Sequence, residues 1–93
     1  MYSPIHLKFW VRPSNSAHLA FVVIRLNKVT RWIQNRHKVE DDFVALLDQR
    51  LVQTSGHPAV FMVRAMLGHA KDAQHVFEQA NLEDAVQYVL HTL

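Results

Sequence analysis

The stretch Leu19-Ala20-Phe21-Val22-Val23-Ile24-Arg25-Leu26 decides the fold, because it supports two readings. As a helix running from Ser16 onward, it places Leu19, Val22, Val23, Leu26, Val29 and Ile33 on one face. That arrangement leaves Phe21 and Ile24 off the apolar side. As a strand, it puts the consecutive β-branched Val22, Val23 and Ile24 where a pleated surface packs them well, and it supplies an antiparallel partner to the segment before it. The strand is the reading adopted, with an all-α chain as the alternative.

The preceding segment is a clear strand. Ile5, Leu7, Phe9 and Val11 alternate with His6, Lys8, Trp10 and Arg12, a period of two with one apolar face. Pro4 is tolerated at its start, and Pro13, Ser14, Asn15 and Ser16 are turn formers that reverse the chain. From Asn27 a helical period takes over, with Val29, Trp32, Ile33, Val39, Phe43, Leu46, Leu47 and Leu51 along one arc. Gln34 to Lys38 contains no apolar residue, and Arg36 and Glu40 lie one turn apart within the arc. Either that pair meets at the rim of the core, or the helix breaks near Asn35. Thr54, Ser55 and Gly56 close the element, since glycine accepts the left-handed backbone that ends helices, and Pro58 forbids continuation.

Ala59 to Leu67 is strand-like with apolar residues on both faces except at Arg64, the pattern of a central strand or of a sheet covered on both sides. Gly68 to Asp72 reads as a turn and His75 to Glu78 as a short fourth strand. Asn81 followed by Asp84 suggests a helix cap, and Leu82, Ala85, Val86, Val89, Leu90 and Leu93 give the last helix its buried stripe. The expected order is ββαββα: an α+β domain with a four-stranded antiparallel sheet and two helices on one face, the pattern of a circularly permuted ferredoxin-like fold. Phe9-Trp10-Val11-Arg12 is echoed by Phe61-Met62-Val63-Arg64 at an offset of 52 residues, and Asn27 by Asn81 at 54. This suggests two hairpin-helix halves, 4–52 and 58–93, within one domain spanning 1–93.

At 93 residues the chain is long enough for one core, and a hydrophobic share of 49% with 19% charged residues excludes disorder. No cysteine is present, which excludes disulfides, thiolate metal sites and Cys nucleophiles. A cytoplasmic location is the expectation that follows. The N-terminal residues, with Pro4, His6 and Lys8 among apolar ones, do not form a signal peptide. The longest apolar run, Leu19 to Ile24, is far below the roughly 20 residues of a membrane span. Net charge is +2 with a pI near 9.3, a balance that permits an anionic partner without requiring one.

Three constellations invite a functional reading. The first is basic, Lys28, Arg31, Arg36, His37 and Lys38 early in the long helix, where Lys28, Arg31, Arg36 and Lys38 could contact successive phosphates of a nucleic acid. The plainer account is a solvated face balanced by Glu40, Asp41, Asp42 and Asp48. The second is the outward face of the first strand, His6, Lys8, Trp10 and Arg12, which suits base stacking or, more simply, an apolar contact in a homodimer, where Trp and Arg are enriched. The apolar residues on both faces of the second and third strands favour the dimer, with Trp10, Phe21, Val23 and Met62 in contact and Arg12 and Arg64 at the rim. The third is His69, Asp72 and His75, whose spacing would suit a metal only on a helix; a turn spoils it, and surface histidines are the plainer account. No metal or cofactor is therefore expected.

Ser3, Ser14, Ser16 and Ser55 lack a nucleophile-elbow context, and Gly56 and Gly68 make no phosphate loop. Catalysis has no motif behind it. The expectation is a non-catalytic binding or regulatory module that self-associates through its sheet. Nucleic-acid binding is the rival, and a ligand-binding or catalytic dimer with a small-molecule pocket containing His6 or His18 is the third reading.

Overall fold

The computed structural model describes residues 5–26, 31–67, 73 and 75–93. Its elements are β1 (Ile5–Pro13), β2 (Ala20–Leu26), α1 (Trp32–Ser55), β3 (Ala59–Leu67), β4 (Val76–Glu78), a 3-10 turn over Gln79–Asn81, and α2 (Leu82–Thr92). The deciding stretch is a strand, so the chain is α+β and the all-α alternative falls.

The four strands form one sheet in the order β3-β1-β2-β4. β1 runs antiparallel to β2, with Phe9 opposite Val22 and Trp10 opposite Phe21, and antiparallel to β3, with Phe9 opposite Val63 and Trp10 opposite Met62. The two tetrapeptides that echo one another in sequence thus lie side by side. β4 pairs with β2 in parallel, through Val23 with Val76, Ile24 with Phe77 and Arg25 with Glu78. The sheet is mixed, which corrects the antiparallel expectation, and the parallel pair departs from the permuted ferredoxin-like pattern. The cause is topological: β3 and β4 occupy opposite edges of the sheet, so the two do not pair as a hairpin. β3 is also an edge strand and not a central one.

One face of the sheet builds the core. Ile5, Leu7, Phe9 and Val11 of β1 and Ala20, Val22, Ile24 and Leu26 of β2 meet Val39, Phe43, Leu47 and Leu51 of α1 and Ala85, Val86 and Val89 of α2, all buried. The helical residues recur at intervals of three and four, which gathers them on one stripe of each helix. Phe9 and Phe43 stack at a tilt with ring centroids 4.7 Å apart at the centre of this layer.

α1 is continuous from Trp32, so of the two alternatives it is the pair that forms and not the break near Asn35: Arg36 Nε donates to Glu40 Oε1 at 2.7 Å at the rim of the core. Arg31 precedes the helix in the left-handed region, at φ 61°. The expected cap at Asn27 lies outside the described residues. Gly56 ends α1 at φ 77°, its N–H donating to the Val52 carbonyl, as the sequence leads one to expect. Asn81 stands at the N-cap of α2 without a side-chain cap bond, while Glu83 and Asp84 in the first turn complement the helix dipole. Asp48 Oδ1 of α1 accepts a hydrogen bond from the Ala59 N–H at 2.9 Å, tying the helix to the start of β3. Among the described residues no helix is long and apolar enough to cross a membrane.

Candidate functional site

Side chains alternate across a strand, so burying the odd-numbered residues of β1 sends the even-numbered ones to the opposite face. The register then assembles that face: His6, Lys8, Trp10 and Arg12 from β1, Phe21, Val23 and Arg25 from β2, Val60, Met62 and Arg64 from β3, and Val76 and Glu78 from β4. Both helices lie on the other side, among the core residues. All six residues expected at a dimer contact, Trp10, Arg12, Phe21, Val23, Met62 and Arg64, therefore lie on the sheet face opposite the helices, which no described element covers.

The face has two ends of different character. At the β1–β2 turn, Trp10 and Phe21 lean together with centroids 5.1 Å apart. Beside them Leu19, Val60 and Met62 are 56%, 46% and 67% exposed. Trp10, Arg12, Leu19, Val60 and Met62 outline a shallow apolar groove of about 280 Å³. Arg12 is held at its rim, its Nη1 donating to the Ser16 carbonyl at 2.9 Å. Toward the other end the face turns charged. Lys8 and Arg64 are cross-strand neighbours, Arg25 pairs with Glu78, and Lys8 Nζ lies 5.8 Å from the centroid of the Phe21 ring.

Val23 differs from the other five. It is fully buried within the chain itself, at 0% exposed, so it has no area left to offer a partner. Leu19 and Val60 are the contact candidates that sequence reasoning missed. Their parity with Phe21 and Met62 was the available signal.

The basic cluster of α1 is less cohesive than its spacing suggests. Lys28 lies outside the described residues, Arg36 is engaged by Glu40, and Arg31, His37 and Lys38 are exposed. Lys38 shares a cleft of about 360 Å³ with Asp42, one turn on, and with Asn35 and Gln79. The amides of Asn35 and Gln79 exchange hydrogen bonds of 2.7 and 3.1 Å, joining the start of α1 to the 3-10 turn. Sequence alone gave no sign of that link, since the two residues are 44 positions apart.

His6 is buried, at 3% exposed, near the start of β1. His18 is exposed in the turn beyond its far end, its N–H donating to Ser16 Oγ at 3.0 Å. Neither lines the groove at Trp10 or the cleft at Lys38. His69 and Asp72 fall outside the described residues, while His75 rests against Tyr88 and Phe77. Among the described residues no three His, Asp or Glu side chains gather as metal ligands would. Comparison with family models, curated proteins and solved structures finds no match to the chain.

Proposed function

We propose that this chain is a small binding or regulatory module that self-associates through the apolar end of its open sheet face and carries no chemistry of its own. The observation behind this reading is the groove where Leu19, Val60 and Met62 stand largely uncovered around Trp10 and Phe21. An apolar patch of this kind, rimmed by Arg12, Lys8 and Arg64, has the composition of an interface. A two-fold axis through the groove would bring apolar side chains together and leave the like charges of Lys8 and Arg64 toward the rim. The lack of cysteine suits a cytoplasmic setting.

Nucleic-acid binding through Lys28, Arg31, Arg36 and Lys38 has less behind it. Arg36 is committed to Glu40, and Lys38 has Asp42 one turn away, so few cations remain to displace counterions from phosphates.

Light scattering on a size-exclusion column, at low and at moderate salt, tests the proposal. A dimer at both salts is the expected result. A monomer throughout overturns it. Trp10→Ala should weaken the dimer by about 2 kcal/mol or more.

A further inference from the structure

We infer that the outer edge of β3 pairs, antiparallel, with the β3 of a second copy, joining two four-stranded sheets into one that is continuous across the pair. The open face would join copies through side chains; the β3 edge joins them through backbone, whether or not the face is used.

Which backbone groups point outward follows from one hydrogen bond. The Ser14 N–H donates to the Pro58 carbonyl at 2.9 Å, and these residues continue the register in which Pro13 faces Ala59. In an antiparallel ladder directly bonded pairs alternate with non-bonded ones. Arg12–Val60, Trp10–Met62 and Lys8–Arg64 are therefore bonded pairs, and the N–H and C=O groups of Phe61, Val63 and Ala65 point away from β1. The Ala59 N–H supports the same parity, since it turns outward to Asp48 Oδ1 on α1. That bond closes the edge at one end and leaves the run Phe61, Val63 and Ala65 without a neighbouring strand among the described residues.

Such an edge invites pairing. Natural sheets blunt their edges with Pro, Lys, bulges or very short strands. β3 is nine residues long and carries neither Pro nor Lys, and Arg64 is its one charge. By contrast β4, at the other edge, is three residues long.

The sequence of β3 also selects a register. With a two-fold axis at Val63, Phe61 bonds to Ala65 of the partner subunit, Val63 to its own copy, and Ala65 to Phe61 of the partner subunit. All three outward residues are satisfied, and on the helix face a large side chain meets a small one. On the open face Arg64 falls opposite Met62 of the partner subunit. Moving the axis one residue to Arg64 would set two guanidinium groups directly opposite each other, which a cross-strand pair penalises. Val44 and Val52, one turn to either side of Asp48, share the flank of α1 that faces this edge; Val52 is half exposed there.

Amide hydrogen exchange on the unmodified protein, followed across a dilution series whose mass is read by light scattering, tests the inference. In the dimer the N–H groups of Phe61, Val63 and Ala65 should exchange at least ~100-fold more slowly than in the diluted monomer. The Ala59 N–H, already bonded to Asp48, should change little. The register is tested by mixing Met62→Cys and Arg64→Cys chains, which contain no other cysteine. Their Cα atoms would lie about 4.5 Å apart, inside disulfide range, so the mixed disulfide should exceed either self-crosslink. Fast exchange of the three amides in a dimeric sample overturns the inference and leaves the open-face reading standing. Protected amides in a dimer that survives Trp10→Ala uphold the edge and remove the face. A monomer at every concentration overturns both.

Discussion

Replacing Met62 with Thr removes the most exposed large apolar side chain described on the open face and leaves a β-branched residue that a strand accepts. Full burial of a Met side chain stabilises by about 1.5–3 kcal/mol. With 67% of Met62 still uncovered in the monomer, contact with a second copy yields about 1–2 kcal/mol per copy. Two-fold symmetry counts that twice, so loss of the side chain weakens the dimer by about 2–4 kcal/mol, or roughly 30- to 700-fold in Kd. The monomer should lose no more than about 0.5 kcal/mol, because a solvated side chain contributes little to its fold. Sedimentation equilibrium over a dilution series reads the first quantity, and thermal melting below the dissociation concentration reads the second. A Kd unchanged within threefold, with the melt intact, refutes the reasoning about the face. Under edge pairing alone the side chain meets only the partner's Arg64 stem, and the loss shrinks to tenfold or less.

Further predictions concern the monomer and the rival reading. Phe43→Ala should cost about 3–5 kcal/mol in urea denaturation, since the ring is fully buried against Phe9; a double-mutant cycle with Phe9→Leu and Phe43→Leu should report a coupling of about 0.5–1.5 kcal/mol. Gly56→Ala should destabilise by about 1 kcal/mol through backbone strain alone, because φ is 77° and an added Cβ would meet nothing within 4 Å. Reversing Arg31 and Lys38 to Glu should leave oligonucleotide affinity unchanged in a fluorescence titration at low salt; a steep loss would restore the nucleic-acid reading.

Much of this architecture was legible in sequence because local patterns carry it. The alternation from Ile5 to Arg12 reports which side of β1 meets the helices. The β-branched run Val22-Val23-Ile24 marks a strand, and Gly56 marks the end of α1. The position of β4 was not legible. Consecutive strands are neighbours about two-thirds of the time, which favours a hairpin of β3 with β4, and no local pattern announces that the two take opposite edges. The doubly apolar pattern of β3 misled for a related reason: Val60 and Met62 resemble the buried residues of a central strand but stand exposed at an edge. Conversely, Val23 reads as a surface contact by parity, yet it is fully buried within the chain. The shared face of Trp10, Phe21, Met62, Arg12 and Arg64 followed from parity and register alone. The reciprocal amides of Asn35 and Gln79 have no periodic signature and emerge only in three dimensions.

The central place of β1 sets the order in which the molecule can assemble. Its innermost pair with β2, Val11 and Ala20, is nine positions apart along the chain, whereas its innermost pair with β3, Pro13 and Ala59, is 46 apart. Loop-closure entropy makes the second about 1.4 kcal/mol more costly at the outset. The hairpin and α1 are thus available well before β3. During synthesis the free side of β1 waits, with its backbone groups unpaired, until residue 67 has emerged. A translational pause or a truncation within α1 leaves a nascent chain whose innermost strand is its most adhesive surface.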